Sequence, residues 1–211
     1  MDLKYPANAK KSLDSRYMEK ILTGHEIAAV RASPDSDVTL WAFWTCKEAA
    51  YKVLQKKSVD AAFMPRRWSV RYELPSDPSG GISFQTSGYA DGQVLIPGAG
   101  PVSIRLFVSS DYIHCLAVDT DRALDRILFH VAPWSEDIAV LAPDASGYVR
   151  AILIRRLAVQ FNLSQESLQI VRSKTKTGLG PPVLYVSGNP SAVVDISLSH
   201  DGRFVAYAYV S

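Results

Sequence analysis

Apolar positions along this chain run through one cycle twice: helical spacing first, then strand alternation. The first cycle opens after a loop containing Pro6 with a short helix predicted near Leu13–Leu22, where Ser12 or Asp14 can cap the start. A second helical piece is predicted from Gly24 to before Pro34, and a long helix from Val38 to Gln55. Leu40, Trp41, Trp44, Ala49 and Val53 suit one buried stripe on that helix. Alternation then predicts strands at Trp68–Tyr72, Ile82–Gln85, Val102–Val108 and Tyr112–Val118. Gly80-Gly81, Asp91-Gly92 and the Gly98/Gly100 pair read as turns. The second cycle holds a short helix at Arg122–Leu128, a strand, and a loop ending at Pro143. A long helix, Ser146–Phe161, follows, then strands at Leu168–Arg172, Val183–Val186, Val193–Leu198 and Phe204–Val210, with Gly178–Pro182 as a turn.

Long helix followed by strands, twice, predicts an α+β chain of two similar lobes, each a long helix packed on a small antiparallel sheet. Residues 119–143 hold the division, giving lobes 1–120 and 121–211. At 211 residues the chain can build one sizeable core or two small ones. A net charge of +2 is too small for a nucleic-acid-binding domain, yet a small anionic ligand needs only a local basic pocket. The two cysteines, Cys46 and Cys115, make no disulfide framework, no apolar run reaches membrane-spanning length, and the first residues carry no apolar signal core. The expectation is a cytoplasmic monomer that meets neither membrane nor nucleic acid.

Two segments could carry chemistry. In WTCKEAAYK (Trp44–Lys52), Glu48 and Lys52 stand four apart and share a helix face. They read either as a surface ion pair contributing about 0.3–0.5 kcal/mol or as a carboxylate that holds Mg²⁺ beside a lysine that neutralises a diphosphate. In SLSHDGRFVAYA (Ser197–Ala208), Ser199-His200-Asp201-Gly202-Arg203 reads either as a tight turn or as phosphate donors, with Gly202 permitting close backbone approach. There is no GxSxG nucleophile elbow, zinc-ligand spacing, Walker sequence or Rossmann glycine pattern. His114, inside an apolar strand, reads as a core residue. Arg155 and Arg156, adjacent on an apolar helix, cannot both be buried. Arg172, Lys174 and Lys176 make a basic stretch.

Taken together, these two segments resemble the signatures of the 4'-phosphopantetheinyl transferase superfamily. Trp44, Thr45, Lys47, Glu48, Ala49 and Lys52 fill its (W/F)-(S/T/A)-x-K-E-(A/S)-x-x-K helix, and Ser197–Ala206 fills its S-(L/I)-S-H strand. SRYMEKILTGHE is similar to the helix and acidic segment that precede the first signature, with Arg16 and Glu26 at the matching places. The resemblance implies transfer of the phosphopantetheine arm of coenzyme A to a serine of an acyl or peptidyl carrier protein, with Mg²⁺ as cofactor. Fatty acid, polyketide or nonribosomal peptide synthesis would be served. It implies catalytic roles for Glu48 and Lys52, with Mg²⁺ on Glu48. Coenzyme A phosphates fall to Lys47, Lys52, Ser199 and His200; outside the family pattern, Arg172, Lys174 or Lys176 would compensate for a lysine that Pro181 replaces.

Three departures accompany it. Only the tail of the family's metal-binding G-x-D-x-x-(D/E)-L strand is present, as Asp2-Leu3, so Asp2 is the second metal candidate. The family's G-K-P reads Gly180-Pro181-Pro182, with Pro181 where a phosphate-binding lysine belongs. The Lys-Glu-Ala lobe comes first, as in the short holo-acyl-carrier-protein synthases, whereas two-lobe members place it second. That order implies a pseudodimer with permuted lobes. The alternative is a degenerate member that binds coenzyme A or a carrier protein without catalysis.

Overall fold

The computed structural model describes residues 1–72, 88–119, 124–135, 142, 144–175 and 178–211. The chain is α+β and divides into two compact units, Met1–Leu124 and Asp125–Ser211. The predicted turn at Gly80-Gly81, the strand at Ile82–Gln85, the start of the helix at Arg122–Leu128, Pro143 and Lys176 lie outside the described residues.

In the first unit three helices precede a four-stranded antiparallel meander. Helix α1 (Ser15–Ile21) is capped by Asp14, which accepts the Tyr17 N–H. Helix α2 (Gly24–Ala32) opens with a reciprocal capping box between Thr23 and Glu26. Helix α3 (Ser36–Lys57) starts at Asp35, which accepts the Val38 N–H, and ends on Lys56 and Lys57, whose charge suits the carbonyl end of the helix. Strands β1 (Ser69–Tyr72), β2 (Tyr89–Ile96), β3 (Gly100–Val108) and β4 (Ile113–Asp119) pair in chain order. Leu40, Phe43, Cys46 and Ala50 of α3 are buried against Val94, Ile104, Leu106, Ile113 and Cys115 from the sheet. Each large apolar side chain so enclosed stabilises the fold by about 1.5–3 kcal/mol. The first residues are tied to the head of β4: Asp2 bridges Tyr112, and the α-ammonium of Met1 donates to the Ile113 carbonyl at 2.7 Å.

The second unit packs helix α4 (Ala145–Phe161) on two three-stranded antiparallel sheets. One contains β5 (Leu128–Pro133), β10 (Phe204–Val210) and β9 (Asp195–Asp201) in that order. The other contains β6 (Leu168–Thr175), β7 (Gly178–Val186) and β8 (Asn189–Pro190). Val149, Leu153 and Leu157 recur every four residues and form the buried stripe of α4. They meet Ile170, Leu184, Ile196, Val205 and Tyr209. Asn162 closes the helix in the left-handed region, at φ 52°.

Two of the predicted turns are strand. Asp91-Gly92 sits inside β2, where a Cβ on Gly92 would stand 2.2 Å from the Arg71 carbonyl oxygen. That glycine marks a close approach of two backbones, not a reversal. Gly178–Pro182 opens β7. There the register against β6 slips between Arg172 and Lys174, so an irregularity accommodates Pro181 and Pro182, the former lacking the N–H of a lysine. β9 also begins later than expected and runs on through Asp201, leaving Gly202 and Arg203 as the turn into β10.

Candidate functional site

Helix α3 sorts the residues of its signature onto different faces. Phe43, Cys46, Lys47 and Ala50 follow i, i+3, i+4, i+7 and are all buried. Trp44, Glu48 and Lys52 follow i, i+4, i+8 and form the neighbouring stripe: Trp44 is half-buried, Glu48 exposed and Lys52 half-buried. A carboxylate and an ammonium one turn apart therefore lie along the accessible side of the helix.

Lys47 has a different place from the phosphate contact that the resemblance implies. It has no exposed surface. Its ammonium donates to the carbonyls of Ile21 at 3.0 Å and Pro65 at 2.9 Å, and to Oε2 of Glu26 at 2.5 Å. Three donors meet three acceptors, so no N–H remains for a phosphate. Burial lowers the lysine's pKa, while the neighbouring Glu26 carboxylate acts in the opposite sense. Glu26 is itself buried and accepts the N–H groups of Thr23 at 2.8 Å and Val70 at 3.0 Å. Its place at N3 of the capping box was a signal in the sequence; that its carboxylate also reaches Lys47 and β1 was not.

Beside Trp44 lies a cavity of about 700 Å³ that the sequence did not announce. Ile21, Trp44, Phe63, Met64 and Pro65 give it apolar walls, and Lys20, Arg66 and Arg67 bring three cations to it. Trp44 and Phe63 are in ring contact, with centroids 5.5 Å apart. Trp44 is one turn before Glu48, so the cavity adjoins the Glu48–Lys52 stripe.

Asp2, the second metal candidate, is fully buried, and its Oδ1 accepts the Lys4 N–H at 2.9 Å. Its carboxylate is sealed from solvent and does not present an open ligand. Among the described residues no group of three or more His, Cys, Asp or Glu converges on one point. Glu48 alone still fits magnesium, which keeps several waters and takes one or two carboxylates plus substrate phosphates.

In the second unit the strand period separates the predicted phosphate ligands. Ile196, Leu198 and His200 alternate on the α4 side of β9, and Ser197, Ser199 and Asp201 fall on the other. Ser199 and His200 side chains therefore do not share a face, a correction to their joint assignment. His200 is exposed, and its cross-strand neighbour is Val205. Arg172 on β6 donates from Nε to the Gly180 carbonyl at 2.7 Å and from Nη2 to that of Leu179 at 3.2 Å. These bonds hold the irregular opening of β7. Lys174 lies past the register slip, exposed.

Arg150, on the first turns of α4, was not singled out from the sequence. Its Nε is buried with no hydrogen-bond partner among the described residues. Arg172 is close enough to feel it: the Arg172 pKa is lowered, first by partial burial and then by the Arg150 charge. Two guanidiniums repelling each other beside a buried, unsatisfied N–H form a site an anion would relieve.

Residues 1–93 match the family model of the 4'-phosphopantetheinyl transferase superfamily. That span contains α1–α3, the Glu26–Lys47 pair and the Trp44–Glu48–Lys52 stripe, so the resemblance holds for the part of the chain that carries the first signature. No curated protein and no solved structure matches the chain. Superfamily members act as transferases, with coenzyme A and carrier proteins as their general partners. No helix among the described residues is long and apolar enough to cross a membrane.

Proposed function

We propose that the protein transfers the phosphopantetheine arm of coenzyme A to a serine of an apo carrier protein and releases 3',5'-ADP. The observation that carries this reading is the accessible Glu48–Lys52 stripe of α3, within the span that matches the superfamily and beside a cavity with cationic residues. Glu48 would hold Mg²⁺, which when bound supplies charge neutralisation at the diphosphate. Lys52, one turn on, would orient the diphosphate and offset the negative charge that develops on the leaving phosphate. The carrier serine oxygen forms the new bond to the β-phosphorus as the bond to 3',5'-ADP breaks. The hydroxyl proton passes to the Glu48 carboxylate or, through it, to solvent. Within the second unit, taken by itself, Arg150 and Arg172 suit an anion better than Ser199 or Lys174, because the buried Nε of Arg150 has no hydrogen-bond partner among the described residues.

The assay is intact-mass analysis of a panel of apo carrier proteins incubated with coenzyme A, Mg²⁺ and the protein. A gain of one phosphopantetheine arm is expected, and Glu48→Gln should abolish it while leaving the thermal unfolding midpoint in place, since Glu48 is exposed. Full activity in Glu48→Gln would remove the carboxylate from the mechanism.

The sealed Asp2 carboxylate and Pro181 in place of a lysine favour a second reading, binding of coenzyme A or a carrier protein without transfer. Coenzyme A binding that survives excess chelator, with no mass gain across the panel, is its signature.

A further inference from the structure

We propose that Glu26 and Lys47 are positioning residues: buried, they hold the cavity beside Trp44 in register with the Glu48 stripe of the same helix. The link to catalysis rests on the transferase reading; the link to the cavity does not. The ammonium of Lys47 fastens two carbonyls, Ile21 at the end of α1 and Pro65 at the head of the 3-10 turn Pro65–Arg67. Both residues line the cavity, and their chain neighbours Lys20, Arg66 and Arg67 supply its cations. Through its partner carboxylate the same ammonium is connected to the N–H of Thr23 at the start of α2 and of Val70 in β1. Four segments thus converge on one ion pair located next to Glu48 in sequence.

Stability alone is a poor account of this arrangement. Taking two charges out of water costs about as much as their attraction returns, and a buried pair replaced by apolar groups of similar volume is often no less stable. What an apolar pair cannot do is donate to two carbonyls in fixed directions. Lys47 has that capacity, and both carbonyls belong to cavity residues. The two segments come from opposite sides of α3 in the sequence, and no strand pairing joins them.

The test is the double variant Glu26→Leu/Lys47→Met, which removes both charges and strands neither. The probe is anilinonaphthalene sulfonate, whose aromatic body and anionic group match the walls and cations of the cavity. Arg66→Ala/Arg67→Ala serves as the control that places the probe there, and near-ultraviolet circular dichroism confirms a folded state. The double variant should keep its fold yet bind the probe about tenfold more weakly, with a similar rise in KM for coenzyme A and a smaller change in kcat. A folded double variant with wild-type probe affinity, or with wild-type KM and kcat, overturns the proposal. Should the double variant fail to fold, hydrogen exchange on the wild-type protein decides. Probe binding should then slow exchange at the Thr23 and Val70 amides, which bond Glu26 and do not line the cavity; unchanged exchange at both overturns the proposal. Absence of transfer by the wild-type protein would count against the transferase reading alone, because the probe and exchange measurements still stand.

Discussion

His114 gives the protein an acid sensitivity that can be worked out from its surroundings. The imidazole is on β4, in ring contact with Phe107 at 6.5 Å between centroids. Burial, then the positive α-ammonium of Met1, then Lys52, push its pKa down to about 3. An unfolded histidine titrates near 6.5. The folded chain therefore keeps this group neutral where the unfolded chain protonates it. Between those two values the unfolded state binds the extra proton, so stability is full above about pH 6.5 and drains away as pH falls toward 3. The ceiling, from a shift of roughly 3.5 units at 1.36 kcal/mol each, is about 5 kcal/mol, and at pH 5 the part already lost is about 2 kcal/mol. The perturbation is His114→Gln, which removes the titration. Three of the chain's four tryptophans, Trp41, Trp44 and Trp68, belong to the first unit, so urea unfolding followed by tryptophan fluorescence reports mainly on that unit. Wild type should lose about 2 kcal/mol more than His114→Gln between pH 7.5 and pH 5. His25, His130 and His200 are common to both proteins and cancel in the comparison. Equal losses in the two proteins would refute the reasoning, whatever the absolute stability of the variant.

Two further outcomes follow from other sites. Gly92→Ala places a Cβ 2.2 Å from the Arg71 carbonyl oxygen, and backbone cannot step aside as a side chain can. The β1–β2 pairing should weaken and cost about 1–3 kcal/mol; an unchanged thermal midpoint would show that the close approach is not required. Arg150→Gln removes a charged donor from the pair of guanidiniums on α4 and β6. Its affinity for sulfate, used as a probe anion, should fall about tenfold, the loss of one charge-assisted hydrogen bond. Unchanged sulfate affinity would show that this pair holds no anion.

The chain's local patterns were enough to declare its two cycles. The cap at Asp14, the helical spacing of α3 and the alternation of β3, β4 and β10 each depend on neighbours within a turn or a strand, and the structure places helices and strands there. Glu48 and Lys52 were legible as one helix face for the same reason, since a period of 3.6 residues needs no tertiary information; Trp44, assigned to the buried stripe, is half-buried and falls on their face instead. Gly92 was misread because turn and close-packed strand both call for glycine, and only the opposing strand distinguishes them. The assignment of Lys47 failed for a related cause. A lysine between a glutamate and a cysteine on a helix reads as solvated, since leaving an ammonium in water costs nothing. Its burial depends on three acceptors brought from 26, 21 and 18 residues away. The split of Ser199 from His200 was available from strand alternation, but which of them faces α4 was set by the packing of Ile196 and Leu198. Sequence alone determined the long helices, most of the strands and the shared face of Glu48 and Lys52 on α3. Tertiary structure decided which charges lie inside, what they hold and where the cavity forms, because burial and acceptor supply are properties of distant segments meeting.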